Sequence, residues 1–388
     1  MSTSHIDEKI PVTFYCYSLG NGGAEKALSN ILSGLDRHRF SVSLVLVIAQ
    51  IDFHVPEDVK IHVLDQDVTG TIARHRALAS LWSRYPPGIV ISSGTNENIE
   101  VIFARRISKV HFPVICVESS MFSEITKIHL GGNYPSYRHI AAYCYDKADA
   151  VVAVSMGCAN DLSNAIGLSR DRVNVIFNPV VTSVLRESAA SPCDNSWFRG
   201  SSHAMVVGIG RLMPEKRFTD LVRAFSVVAR KRRDARLVIF GRGPERAALL
   251  YLARSLGAAD RVSLPGFCNN PYPALRRASV FVHPSITEAM PNVLIEAIAL
   301  GVPVVASRIT GNAELLSTQT AGSLVAPGNI SGFATAISRA LDYPSSCRIA
   351  MDAVARFDEA VAIAAYEKLL ERVHSLAVGH TGTTSGPP

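Results

Sequence analysis

A chain of 388 residues is long for one hydrophobic core and comfortable for two, at roughly 150 residues per domain. Its 48% hydrophobic and 19% charged composition is that of a globular protein with large buried sheets, which excludes an extensively disordered chain. The net charge of +6 lies in the second half: residues 1–190 carry 17 Lys+Arg against 18 Asp+Glu, and residues 191–388 carry 22 against 15. An anionic ligand bound in the second half would meet a favourable field. No aromatic-basic interleaving appears, so a nucleic-acid partner is not expected.

The start, Met1 to Lys9, lacks a basic region followed by an apolar core and does not read as a signal peptide. Apolar runs such as Val42 to Ala49 have strand length, far below the ~18 residues of a membrane span, so a cytoplasmic location is expected. Short runs rich in Val and Ile alternate with helical stretches, the pattern of parallel sheets flanked by helices. In the first half they predict strands over 12–17, 41–48, 60–64, 88–92, 114–117 and 150–154.

Gly20-Asn21-Gly22-Gly23 follows the first strand and opens a helix with Glu25 and Lys26 in its first turn. A dinucleotide fingerprint would need glycine where Glu25 stands, and the stretches from Gly208 and Gly241 fail in the same way at Met213 and Arg246; a nicotinamide enzyme is disfavoured. Asp65-Gln66-Asp67 imitates a metal-binding pair but lies in a polar loop, where a solvated turn is the default. Neither a metal nor another cofactor is expected. From Thr71 to Tyr85, apolar Ile72, Leu78, Leu81, Trp82 and Tyr85 are interleaved with Arg74, Arg76 and Arg84. A helix packed on the first sheet is favoured, with contact to anionic lipid the competing reading. Seven cysteines without a Cys-x-x-Cys spacing fit reduced thiols.

Asn178-Pro179 follows a strand-like 173–177, and the Ser- and Ala-rich stretch 186–203 reads as a linker. The second half offers strands over 204–209, 236–240, 262–264, 280–283 and 303–306. Each set can form its own doubly wound sheet, and facing sheets would place a ligand in the cleft between domains. Arg230 to Arg233 reads as a solvated helix end.

Arg211 and Lys216 follow a buried strand ending at Gly210, where they can grip a diphosphate or form an ordinary surface cluster. Phe240-Gly241-Arg242-Gly243-Pro244 follows another strand; such glycines serve either close approach to a ligand or a tight turn. Glu288-Ala289-Met290-Pro291-Asn292 then runs into Glu296. Pro291 suits the first helical position, placing Glu288 in the preceding loop and Glu296 inside the helix. The helix start favours an anion, and the carboxylates accept hydrogen bonds from hydroxyls; the alternatives are a capping carboxylate and an exposed helix residue.

In this order, Gly210 to Asp220 and the Glu-x7-Glu segment resemble the retaining glycosyltransferases of family 4, and Gly20 to Lys26 resembles the first loop of the branch that builds bacterial surface polysaccharides. The likeness spans roughly residues 10–373. It implies an α/β chain of GT-B fold, with two Rossmann-like doubly wound parallel-sheet domains facing a central cleft. The expected parts are an acceptor-side domain over 10–185, a linker over 186–203, a nucleotide-sugar domain over 204–356, a helix over 357–374 crossing back to the first domain, and a disordered tail over 375–388.

The resemblance also assigns roles. Arg211, Lys216 and Glu288 become catalytic, with Glu288 on hydroxyls of the donor sugar. Gly22, Gly23, Gly241, Gly243, Phe267, Ala289, Met290, Pro291, Asn292 and Glu296 become donor-binding, with Glu296 on the ribose. Glu118 and Ser119, where relatives often carry a basic residue in place of Ser119, and Arg138 become acceptor-side candidates. The implied reaction moves a hexosyl residue from a nucleotide diphosphate sugar to a glycan or lipid-linked glycan. UDP is preferred to GDP, and peripheral contact with the inner membrane is compatible with it. The alternatives are a nucleotide-sugar epimerase or hydrolase on the same fold, and a silent nucleotide-sugar-binding regulator.

Overall fold

The computed structural model describes residues 9–20, 22–64, 70–193, 195–198, 203–316 and 323–381. Contacts divide the chain into two compact units, one reaching Pro179 and joined by residues from Glu359 onward, the other spanning Val180–Asp358.

The first unit contains β1 (Ile10–Cys16), β2 (Phe40–Leu46), β3 (Lys60–Val63), β4 (Ile89–Ser93), β5 (Val114–Glu118), β6 (Ala150–Ala153) and β7 (Val173–Val175). They form one parallel sheet in the order β3-β2-β1-β4-β5-β6-β7. Parallel strands covered on both faces need apolar residues at successive positions, which is why Val-Ile-Cys-Val in β5 and Ala-Val-Val-Ala in β6 are buried throughout. Intervening helices return the chain between parallel strands. Local signals fix several ends: Ser155 accepts a hydrogen bond from Cys158 N to start the helix Met156–Ile166, and Gly167 closes it at φ 75°.

The stretch from Thr71 forms the helix Thr71–Arg84, and its packing follows the core reading. His75, Leu78, Ala79 and Trp82 are buried, and Trp82 meets Tyr15 and Phe112 edge-on. Ile72 and Tyr85 remain exposed. The final helix runs Glu359–Thr381, beyond the expected end at 374, so residues 375–381 are helical. It packs on the helix Gly23–Gly34, where a Cβ on Gly34 would stand 2.7 Å from Ile363 Cγ1. Arg39 donates to Glu367 at 2.6 Å and also pairs with Glu371. The rest of the expected tail, 382–388, like Asp65 and Asp67, lies outside the described residues.

The second unit contains β8 (Ala204–Ile209), β9 (Ala235–Phe240), β10 (Val262–Gly266), β11 (Val280–His283), β12 (Val304–Ser307) and β13 (Ser323–Val325), again all parallel, in the order β10-β9-β8-β11-β12-β13. Its core is built from Val206, Leu237, Ile239 and Val282 of the sheet against Leu221, Phe225 and Phe333 of the covering helices. β13 was not legible, because Ser-Leu-Val offers only two apolar residues. Part of the stretch expected to be domain end and linker is helical: Ser183–Ala190 is a helix capped by Thr182, and it packs on the helix Tyr272–Arg276, both within the second unit.

Both strand orders reverse once, between β1 and β4 and between β8 and β11. Loops at the carboxyl ends of those strands diverge there and leave room for ligands.

Candidate functional site

The second unit's reversal point gathers the charges singled out in the sequence. β8 ends at Ile209, and Arg211 leaves the sheet edge with its side chain 59% exposed, its guanidinium 3.8 Å from Glu215. Lys216 ends a short 3-10 turn, Pro214–Lys216, and its ammonium pairs closely with Glu288, which follows β11. Arg217 then takes a left-handed conformation, φ 52°, and grips Asp220 with Nε and Nη2 at 2.9 and 3.1 Å. Glu215 turns inward, and its carbonyl accepts from Ile286 N at 2.9 Å, tying the loop after β8 to the loop after β11.

Glu288 has two partners: Lys216, and His283 Nε2 at 3.2 Å. Burial pushes its carboxyl up, but the Lys216 charge and the His283 hydrogen bond outweigh that and hold it far below the ordinary carboxylate range. His283 was not identified in the sequence. The available signal was a lone polar residue closing the apolar run Val280-Phe281-Val282.

The helix after Glu288 runs Asn292–Ala299 with Pro291 at the capping position, so it begins one residue later than expected. The Pro291 carbonyl accepts from Leu294 and Ile295. Ala289, Met290 and Pro291 are buried, and the chain here is closely packed: a Cβ on Gly311 would stand 2.5 Å from the Glu288 carbonyl oxygen. Glu296 is not an exposed helix residue. Only 3% accessible, it accepts from the Tyr272 hydroxyl at 3.0 Å.

Gly241 and Gly243 are required by their neighbours in the fold. A Cβ on Gly241 would lie 1.8 Å from the Gly210 carbonyl oxygen, and one on Gly243 would lie 2.3 Å from that of Leu212. The backbone approached at these positions is the Arg211 loop itself, and Leu212 N donates to Arg242 O at 2.8 Å. Arg242 in turn covers the Phe267 ring at 5.3 Å.

The family model described as Glycosyltransferase Family 4 matches residues 21–184, and that described as Glycosyl transferases group 1 matches residues 203–343. The chain is a family 4 glycosyltransferase. Over 331 residues it is 27% identical to the N-acetylgalactosamine-N,N'-diacetylbacillosaminyl-diphospho-undecaprenol 4-alpha-N-acetylgalactosaminyltransferase of Campylobacter jejuni, covering 81% of this chain and 86% of that protein. It is 32% identical to the lipopolysaccharide core biosynthesis glycosyltransferase LpsD of Rhizobium meliloti over 55% of this chain, which spans 58% of that relative. The Anabaena Alr3699/HepE structure in complex with UDP and glucose superposes with a TM-score of 0.75 at 19% identity, over 93% of this chain and 99% of that one. The fold is therefore GT-B, and the relatives place the transferase among enzymes of lipopolysaccharide and other surface-polysaccharide synthesis.

In the first unit of the transferase, the reversal point is bordered by Gly22 and Gly94. Gly22 caps the helix Gly23–Gly34, and a Cβ there would stand 1.7 Å from Glu25 Oε2; Gly94 caps the helix Thr95–Ser108, and a Cβ there would stand 2.5 Å from Glu97 Oε2. Both carboxylates fold back over their helix starts, where the exposed N–H groups favour them. Glu97 also escaped the sequence reading, although Gly94-Thr95-Asn96-Glu97 repeats the spacing of Gly22-Gly23-Ala24-Glu25. Burial, opposed by its own backbone N–H and reinforced by Glu100, Glu25 and Glu118, pushes the Glu97 carboxyl up to about 7.

Glu118 does not present itself to an acceptor. Fully buried at the end of β5, it accepts from Thr95 Oγ1 at 2.7 Å, Tyr145 OH at 2.6 Å, and Ser120 N and Oγ at 3.0 and 2.7 Å. Its carboxyl group is committed to holding three segments together. Ser119 is half-buried, and Arg138 is exposed on the outer side of the helix Tyr134–Asp146. Among the described residues, no hydrogen bond or ion pair joins Arg138 to Glu118 or Ser119. Of the residues expected to act together, the structure unites Lys216 with Glu288 and sets Arg211 on the loop of Lys216.

Proposed function

We propose that the transferase moves a hexosyl residue from a UDP-sugar to a hydroxyl of a glycan or lipid-linked glycan, with retention of anomeric configuration. The observation that carries this reading is the Lys216–Glu288 pair at the reversal point, with the Arg211 guanidinium exposed on the same loop as Lys216. Glu288, held ionised, accepts hydrogen bonds from donor-sugar hydroxyls. Arg211 and Lys216 lie where a diphosphate would carry growing charge. Glu296, near Tyr272, receives the ribose.

In the step itself the bond between the sugar's anomeric carbon and the β-phosphate oxygen breaks. The acceptor oxygen bonds to the same face, and the departing phosphate takes the acceptor's proton. No side chain acts as nucleophile in this scheme. The negative charge gathered on the leaving diphosphate is stabilised by Arg211, Lys216 and the start of the helix Asn292–Ala299, a form of electrostatic catalysis. The UDP and glucose bound by the Anabaena protein support the choice of donor, with GDP-mannose the competing donor. The undecaprenol-linked acceptor in the Campylobacter relative's name supports a lipid-linked glycan and peripheral contact with the inner face of the membrane.

The test is donor binding and slow donor hydrolysis across UDP- and GDP-sugars, comparing wild type with Glu288→Ala and Arg211→Ala. The reading requires one donor to bind and hydrolyse in wild type, with both variants losing the activity. Unchanged binding and hydrolysis in both variants would remove it. Turnover of donor to an epimer without acceptor would favour the epimerase alternative. Tight binding with no hydrolysis and no transfer to any acceptor would favour a regulator.

A further inference from the structure

His283 is the last residue of β11, where that strand opens onto the reversal point, and it is 3% accessible. Its ring lies nearly parallel to that of Phe281, 6.3 Å away with 19° between planes, so rotation about its side-chain bonds is restricted. Its two nitrogens have different surroundings. Nε2 faces Glu288 Oε1 at 3.2 Å and Ser285 Oγ at 3.3 Å. Nδ1 is buried and has no hydrogen-bond partner among the described residues.

An ionised carboxylate only accepts, so the nitrogen facing Glu288 must carry a proton. A second proton, on Nδ1, would be a buried donor without an acceptor, on a ring that had become a buried cation. An unused lone pair at Nδ1 costs less than an unused charged N–H. Glu288 already has the Lys216 ammonium as its countercharge, so a second cation would leave the buried group with excess positive charge.

We infer that His283 is a positioning residue: a neutral imidazole, protonated on Nε2, that fixes the Glu288 carboxylate by one hydrogen bond and leaves the Lys216 ammonium to balance its charge. The inference rests on the reading that Glu288 holds the donor sugar. With Oε1 occupied by Lys216 and His283, the carboxylate plane is set, and Oε2 is directed to a sugar hydroxyl. Without His283, the carboxylate pivots about its contact with Lys216. The sugar ring then loses a fixed partner while the diphosphate keeps Arg211 and Lys216.

Two experiments test this. Nitrogen-15 NMR of the histidine-labelled wild-type protein should show His283 with one pyrrole-like nitrogen at Nε2 and one pyridine-like nitrogen at Nδ1; two pyrrole-like nitrogens, or the opposite tautomer, would overturn it whatever the donor. The second measures kcat/KM for hydrolysis of the UDP- or GDP-sugar giving the fastest wild-type turnover, with the Kd of the matching nucleotide diphosphate. His283→Gln, whose amide nitrogen reaches the Nε2 position, should stay within about threefold of wild type. His283→Asn, whose amide reaches only the Nδ1 position, and His283→Phe should lose about 10–100-fold, as expected for one hydrogen bond to a charged group, with nucleotide Kd within about twofold. Equal loss in the Gln and Asn variants, or full activity in the Phe variant, would overturn the inference. Glu288→Ala, run alongside, separates the two failures. If it too keeps full activity, the site reading has failed; if it loses activity while His283→Phe does not, only the positioning role has.

Discussion

The two reversal points are built on the same strand order and carry opposite electrostatic arrangements. At the edge of β8 and β11, one carboxylate is matched by an ammonium, with a guanidinium exposed on the same loop as that ammonium, and Glu288 is held ionised. At the edge of β1 and β4, carboxylates stand near carboxylates: Glu97 feels Glu100, Glu25 and Glu118, and its proton is retained to about 7. A shared scaffold thus yields a cation-rich edge suited to a diphosphate in one unit and an edge of crowded carboxyl groups in the other. The difference lies in the residues that follow the strands: Arg211, Lys216 and Glu288 in the loops after β8 and β11, against Glu25, Glu97 and Glu100 at the starts of the helices after β1 and β4.

The largest test of this contrast removes the cations. Lys216→Ala should lower transferase activity by about 10²–10³-fold, as expected when a group that stabilises leaving-group charge is lost. It should also raise the Glu288 pKa toward the ordinary range, readable by carboxyl NMR. Sign matters here: a depressed folded pKa adds stability above the unfolded value near 4.5, and that stability is lost as pH falls toward the folded pKa. The wild-type second unit should therefore lose this contribution only on strong acidification, and the Lys216→Ala variant should lack it.

Next in size is Glu118→Ala. It strands the hydroxyls of Thr95 and Tyr145 and the Ser120 N–H, and should cost about 3 kcal/mol or more in denaturant unfolding of the first unit. A variant of wild-type stability with altered acceptor use would instead return Glu118 to an acceptor-facing role.

A smaller effect sharpens the like-charge side. The Glu97 pKa is raised in the folded state, so folding takes up a proton between about 4.5 and 7 and stability falls as pH rises through that window. Glu97→Gln should abolish this slope and be more stable than wild type at pH 8, by on the order of 1–3 kcal/mol, while matching it near pH 4. Equal slopes in thermal melts of the two proteins would show that Glu97 titrates normally. The smallest effect is a control away from both edges. Lys109, exposed, ends its helix at φ 56°, so Lys109→Gly should stabilise the first unit by about 0.5–1 kcal/mol in the same assays, with activity unchanged.

Much of this protein was legible because its signals are local. Parallel strands covered on both faces must be apolar at successive positions, so Ala204–Ile209 and Val280–His283 stood out with their observed ends. The Arg211, Lys216 and Glu288 motifs, lying just after such strands, marked the carboxyl edge on which they stand. What the sequence could not determine was which charges meet. The distance between Lys216 and Glu288 is 72 residues along the chain, and only the order of β8 and β11 closes it. The same holds for Gly241, whose need for a bare backbone comes from the Gly210 carbonyl of a neighbouring loop, and for Glu118, whose partners arrive from three segments. Composition and periodicity decided the elements, since burial of apolar surface acts on each segment by its own pattern. Tertiary structure decided the partners, since hydrogen bonds and ion pairs act over a few ångströms between residues the chain holds far apart.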